Sequence, residues 1–140
     1  MWISRNDLNL PDTPKGNEEW ALIDEEFNLM VLVLCCGIPV IVAGIYILVR
    51  AWKVELTCVK MLCSFMIAEQ VCYCSSRVIY LQALAEHYVQ PNTAANQAKS
   101  KTLFHAYAIF IACYAFLTSC LHWFYTFKMW AVGEKMKLIN

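Results

Sequence analysis

The sequence predicts an all-α integral membrane protein, with three transmembrane helices in an antiparallel bundle behind an acidic N-terminal interfacial segment. Three observations lead there. Of the 140 residues 60% are hydrophobic and only 16% are charged, a balance found in membrane proteins rather than in soluble domains. Three apolar runs, 27–49, 56–84 and 103–127, are each long enough to cross the ~30 Å hydrocarbon layer at ~1.5 Å per residue. Polar stretches carrying proline and charge flank those runs, so the chain divides into a tail (1–26), one membrane domain (27–127) and a basic ending (128–140). The formal net charge is zero, which removes the basic surface that nucleic acid would require.

The tail holds seven acids against Arg5 and Lys15. Pro11, Pro14 and Gly16 keep its first part irregular. Asn17 followed by Glu18 and Glu19 is a helix start, because acids favour the positive end of the helix dipole. Trp20, Ile23 and Phe27 recur at helical spacing and lay this turn along the interface.

The first span, from Phe27 to Val49, ends in the anchors Arg50, Trp52 and Lys53. Pro39 removes a backbone donor in its middle and predicts a kink there. Gly37 and Gly44 are seven positions apart on one face and permit close helix approach. A link of about six residues then forces an antiparallel neighbour.

The second span carries Glu69, Gln70 and Arg77 inside an otherwise apolar run. A charge near the bilayer centre costs roughly 2.5–3.5 kcal/mol on insertion scales, so these groups require partners. Cys63, Ile67, Gln70, Cys74, Arg77 and Leu81 follow steps of four and three and form a seam that faces other helices. Arg77 is about 12 Å along the axis from Glu69, so the two do not pair directly. Three readings compete for Glu69: a neutral carboxyl satisfied by Ser64, Tyr73, Ser119 or water; a contact with another chain; or a point on a proton or ion path.

Residues 86–101 are polar, include Pro91 and Asn92, and read as a loop. In the third span His105, Ala108, Ala112, Ala115, Ser119, His122 and Thr126 repeat at three/four steps, a small-residue seam expected to pack face to face with the four/three seam of the second span, while the first span packs beside them through Gly37 and Gly44. Phe110, Leu117, Leu121 and Phe124 then suit lipid. Lys128, Trp130, Lys135 and Lys137 close the chain. Six cations at the first link and C-terminal end outnumber four at the tail and second loop, which predicts the N-terminus outside and the C-terminus in the cytoplasm, or on the matrix side of a mitochondrial membrane.

Eight cysteines, at 35, 36, 58, 63, 72, 74, 113 and 120, all lie in or beside apolar runs and read as small packing residues rather than a disulfide framework. Cys58, near the cytoplasmic edge, is the one placed for palmitoylation. His105 and His122 are the candidate ligands of the third span, but about 25 Å separates them. His87 and His105 lie near one outer surface and are the pair placed to share a metal or haem iron. No nucleophile elbow, phosphate loop, HExxH or carboxylate pair is present, so neither catalysis nor a resident metal or cofactor is expected.

His122-Trp123-Phe124-Tyr125-Thr126-Phe127-Lys128-Met129-Trp130 resembles a His-Trp-x-Phe/Tyr-…-Lys-x-Trp/Tyr ending at helix ends of uncharacterised ciliate multi-span membrane proteins. Those proteins have more spans, so the resemblance implies a match to their first half and no activity. The leading expectation is a non-enzymatic subunit or interaction component of a larger membrane assembly, with lipid and other transmembrane helices as partners. The alternatives are a channel, transporter or receptor component with Glu69, Gln70 and Arg77 lining a polar cavity, and a haem-bearing respiratory anchor.

Overall fold

A computed structural model describes residues 14–53, 57–88 and 93–137, and these form three helices: α1 (Pro14–Trp52), α2 (Thr57–Tyr88) and α3 (Ala94–Lys137). The irregular stretch expected through Gly16, ahead of a helix start at Asn17, is helical from Pro14 on, because proline fits the first turn of a helix; residues 1–13, 54–56, 89–92 and 138–140 lie outside the described residues.

The helices are longer than the apolar runs alone require. Interfacial turn and first span are one helix, because no glycine or proline separates Glu18 from Phe27 and the Trp20–Ile23–Phe27 spacing carries straight into the apolar run. Pro14 opens α1, where a missing N–H goes unmissed. Pro39 lies inside it and leaves the Cys35 carbonyl without its i+4 donor, while α1 continues to Trp52. At ~1.5 Å per residue α3, with its 44 residues, is about 66 Å long, twice the thickness of a hydrocarbon layer.

The loop expected over 86–101 is largely helical. α2 runs on to Tyr88, and α3 starts directly after Thr93, whose hydroxyl accepts the Asn96 N–H at 3.2 Å as an N-cap. Two contacts hold the helices together there: the Ser100 hydroxyl donates to the Ala83 carbonyl at 2.9 Å, and Lys99 pairs with Glu86. Ile23, Ala83, Leu84, Ser76 and Ser100 are buried around this end, and Ala51, Cys63 and Leu121 toward the other.

α2 is the middle element: it packs along both α1 and α3, which barely touch each other. Positions that meet rise along α1 as they fall along α2: Glu26 meets Arg77, the Val33 carbonyl accepts from the Cys74 thiol at 3.9 Å, Gly37 lies on Cys74, and Gly44 on Ile67. A Cβ added at Gly37 would stand 2.6 Å from Cys74 Sγ, and one at Gly44 would stand 2.8 Å from Ile67 Cγ1. The α2 seam of Ile67, Gln70, Cys74 and Arg77 therefore faces α1 and not, as the spacing predicts, the small-residue seam of α3, because Glu26 and the two glycines of α1 supply the ion partner and the room it needs.

Toward α3, α2 presents its other face, and here the structure corrects the sequence reading. Ala108, Ala112, Ala115 and Ser119 are exposed, as are His105, His122 and Thr126. The packed stripe lies one position round, about 100° of helix rotation. Tyr73 meets Tyr114 and Tyr80 meets Tyr107, both with centroids 4.9 Å apart, and Phe104 sits edge-on to Tyr80 at 6.0 Å. Leu121, assigned to lipid from sequence, is buried on α2. The physical reason is that tilted and edge-on ring pairs gain about 0.5–1.5 kcal/mol each beyond area burial, and Tyr73 and Tyr80 on α2 find matching rings only on this stripe.

α1 and α3 each contain an apolar window long enough to cross a membrane, of mean hydropathy 2.7 and 1.7, with only 6% and 0% of the window buried by the rest of the chain. A core helix of a soluble domain would have that surface covered. α2 falls short of the same test, because Glu69, Gln70 and Arg77 interrupt it.

Gly44→Val should separate α1 from α2 and destabilise the fold by about 1–3 kcal/mol, read as denaturant unfolding by circular dichroism in micelles. Gly133→Ala, where nothing lies within 4 Å of the added methyl group, should instead be neutral or stabilising by up to about 1 kcal/mol. Burial, with Glu19 nearby, pushes the Tyr88 phenol above its ordinary 10.0. The unfolded chain then ionises first, so stability from this site is intact below pH 10 and lost as pH rises through the raised value. An alkaline melt of the wild type should show a loss that Tyr88→Phe lacks.

Candidate functional site: the polar face of the central helix

α2 brings its polar side chains to two heights. Glu69 sits level with the middle of the α1 and α3 apolar runs. Its Oε1 accepts from the Thr118 hydroxyl at 2.7 Å, and that hydroxyl is also 2.9 Å from the Tyr114 carbonyl of its own helix. One hydroxyl proton is thus shared between two acceptors on different helices, which ties α2 to α3 at this point. The carboxylate's partner is Thr118, next to the Ser119 expected from sequence, because the packed stripe of α3 is rotated by that one position. Gln70 points to α1, with Oε1 3.6 Å from where a Gly37 Cβ would stand.

Arg77 lies higher, near the end of the α1 apolar run. Its Nη1 pairs with Glu26 Oε2 at 3.5 Å, its Nη2 donates to the Tyr73 hydroxyl at 3.5 Å, and its guanidinium carbon stands 5.3 Å from the centre of the Tyr73 ring. Both members of the ion pair keep 21% of their side-chain surface accessible, so the pair is half-buried. Arg77 Nε is itself buried and has no hydrogen-bond partner among the described residues. Tyr73 therefore works on both neighbours: its ring stacks on Tyr114 of α3 while its hydroxyl serves the cation that pairs with α1.

Sequence reasoning named Glu69, Gln70 and Arg77 but counted Glu26 as a tail acid and passed over Thr118. A signal for Glu26 exists. Counting outward from the link between the first two spans puts Glu26 and Arg77 at nearly equal distances, so an antiparallel pair sets them at one height. Thr118 had no such signal, since its face depends on which α3 stripe wins.

The histidines remain apart from this cluster. His105 Nδ1 donates to the Lys101 carbonyl of its own helix at 2.7 Å, and its side chain is exposed. His122 is exposed on the same helix, and His87 lies edge-on to Tyr88 at 5.0 Å. Among the described residues no three of His, Cys, Asp and Glu gather as a metal site. Four crevices of about 280–460 Å³ open between the helices, and none is lined by Glu69, Gln70 or Arg77. What the arrangement does chemically is hold three helices together: Arg77 is spent on α1 and Glu69 on α3. Comparison with known protein families, curated proteins and solved structures finds no match.

Breaking the ion pair from the two sides should give unequal losses. Glu26→Leu strands a half-buried guanidinium and should destabilise the fold by about 1–2 kcal/mol in micelles, whereas Arg77→Met with Glu26→Leu should recover part of that loss. Equal, additive losses in a double-mutant unfolding cycle would contradict the pairing.

Proposed function

We propose that the protein is a three-span integral membrane protein, with an antiparallel arrangement of helices, that acts as a non-enzymatic subunit of a larger membrane assembly. α1 and α3 have the length and the uncovered apolar surface of spanning helices. If they cross, α2, which lies between them along its length, crosses with them, its polar groups turned onto Glu26, Gly37 and Thr118. The cation distribution favours an N-terminus outside and a C-terminus in the cytoplasm.

The observation that carries the subunit reading is the outward face of α3. Ala108, Ala112, Ala115 and Ser119 are the residues best suited to close helix approach, and they look away from α2. In a bilayer, where helices associate through packing rather than hydrophobic burial, such a face gains little from lipid and more from another helix.

Extraction in a mild detergent should yield a species larger than one chain by light scattering. Ala112→Leu should shift it to the monomer without lowering the unfolding midpoint. A wild-type chain that is monomeric under those conditions, with Ala112→Leu indistinguishable from it, would overturn the subunit reading.

A further inference from the structure

Arg77 and Glu69 are the charged side chains set deep in α2, and only one of them meets an opposite charge. Arg77 has Glu26. Glu69 has the neutral Thr118 hydroxyl on Oε1 and no cation within ion-pair distance among the described residues. Its Oε2 accepts no hydrogen bond there, and it is not enclosed, since Arg77 Nε is the buried polar side-chain atom left without a partner among those residues. The carboxyl group is thus tied by one oxygen and open at the other.

It opens beside a face that the chain leaves uncovered. Thr118 is exposed even while it bonds to Glu69. Around α3 it stands about 40° from Tyr114, which packs on α2, and about 60° the other way from Ala115, which is exposed. A helix laid on Ala112, Ala115 and Ser119 therefore passes within one side chain's reach of the carboxyl group. Thr118 is three residues, about 4.5 Å, past the centre of the 103–127 run, the depth at which an uncompensated charge is most costly.

A second copy of this chain does not supply the missing charge. Copies inserted in the same sense bring Glu69 to the level of Glu69, and like charges repel. The lysine and arginine nearest in height on α2, Lys60 and Arg77, stand about 14 Å and about 12 Å along the axis, and Arg77 is already paired. His122, one turn past Thr118, is about 6 Å out of level. A cation on a different helix at this depth would itself be costly to insert alone, so the two charges offset each other only when the helices meet.

We propose that Glu69, with the α3 face of Ala112, Ala115 and Ser119 beside it, docks a transmembrane helix of another protein that carries a lysine or arginine near its midpoint. The inference rests on the subunit reading above and names the chemistry of the partner.

The test reconstitutes the full chain in phosphatidylcholine vesicles with a tryptophan-free, leucine-rich spanning peptide that carries a dansyl acceptor, and reads energy transfer from the chain's tryptophans. A peptide with lysine at its centre should associate about fivefold more tightly than the all-leucine peptide, the scale of a polar contact between helices in a bilayer. Moving that lysine two turns from the centre should remove the advantage. Glu69→Gln, which keeps an acceptor for Thr118, should remove it as well, and Ala112→Leu should weaken every peptide. Equal association of the central-lysine and all-leucine peptides, or a Glu69→Gln variant that still prefers lysine, overturns the cationic partner, and the subunit reading then stands if Ala112→Leu still weakens the leucine peptide. Association of no peptide beyond random mixing overturns both.

Discussion

Arg77 sets the terms on which these helices meet. A guanidinium on the middle helix is too costly to leave among apolar side chains, and the chain answers by placing Glu26 at its height on one side and the Tyr73 hydroxyl and ring beneath it. That fixes the register of α1 on α2. Once Glu26 is opposite Arg77, Gly37 falls on Cys74 and Gly44 on Ile67, where no larger side chain fits without displacement. Glu69 performs the same service toward α3 through Thr118, and the two anchors sit on different faces of one helix. α2 is thereby the least apolar helix of the three and the one on which the other two depend.

The aromatic contacts explain why that dependence is tight on the α3 side. Tyr73 and Tyr80 project rings that meet Phe104, Tyr107 and Tyr114. Each tyrosine needs an apolar body packed and a polar tip satisfied, a demand that small residues do not answer. Between Phe104 and Tyr114, α3 consequently turns rings toward α2 and small residues outward, while Phe116, Trp123, Phe127 and Trp130 further along stay exposed.

How much of this was legible in the residues depends on the question asked. Helix number and the apolar runs follow from spacing alone, and four/three steps of Ile67, Gln70, Cys74 and Arg77 define one face of α2; spacing set that face against α3, whereas it meets α1. The α3 face was not legible, since Ala108–Ala112–Ala115–Ser119 and Tyr107–Ile111–Tyr114–Thr118 have the same period and differ by one position. Choosing between them requires knowing what α2 offers, which is tertiary information. The stretch 86–101 misled for another reason: its polarity reads as loop, while the Thr93 cap, the Ala83–Ser100 bond and the Glu86–Lys99 pair make it helix on both sides.

Pro39 has a mechanical consequence. α1 is otherwise an unbroken rod from Pro14 to Trp52, so its hydrogen-bond ladder is weakest where the Cys35 carbonyl lacks a donor. Glu26 is clamped to Arg77 above that point and Gly44 is pressed on Ile67 below it. Cys74, which meets Gly37 and the Val33 carbonyl, therefore braces α1 from outside across the stretch where its own ladder is incomplete.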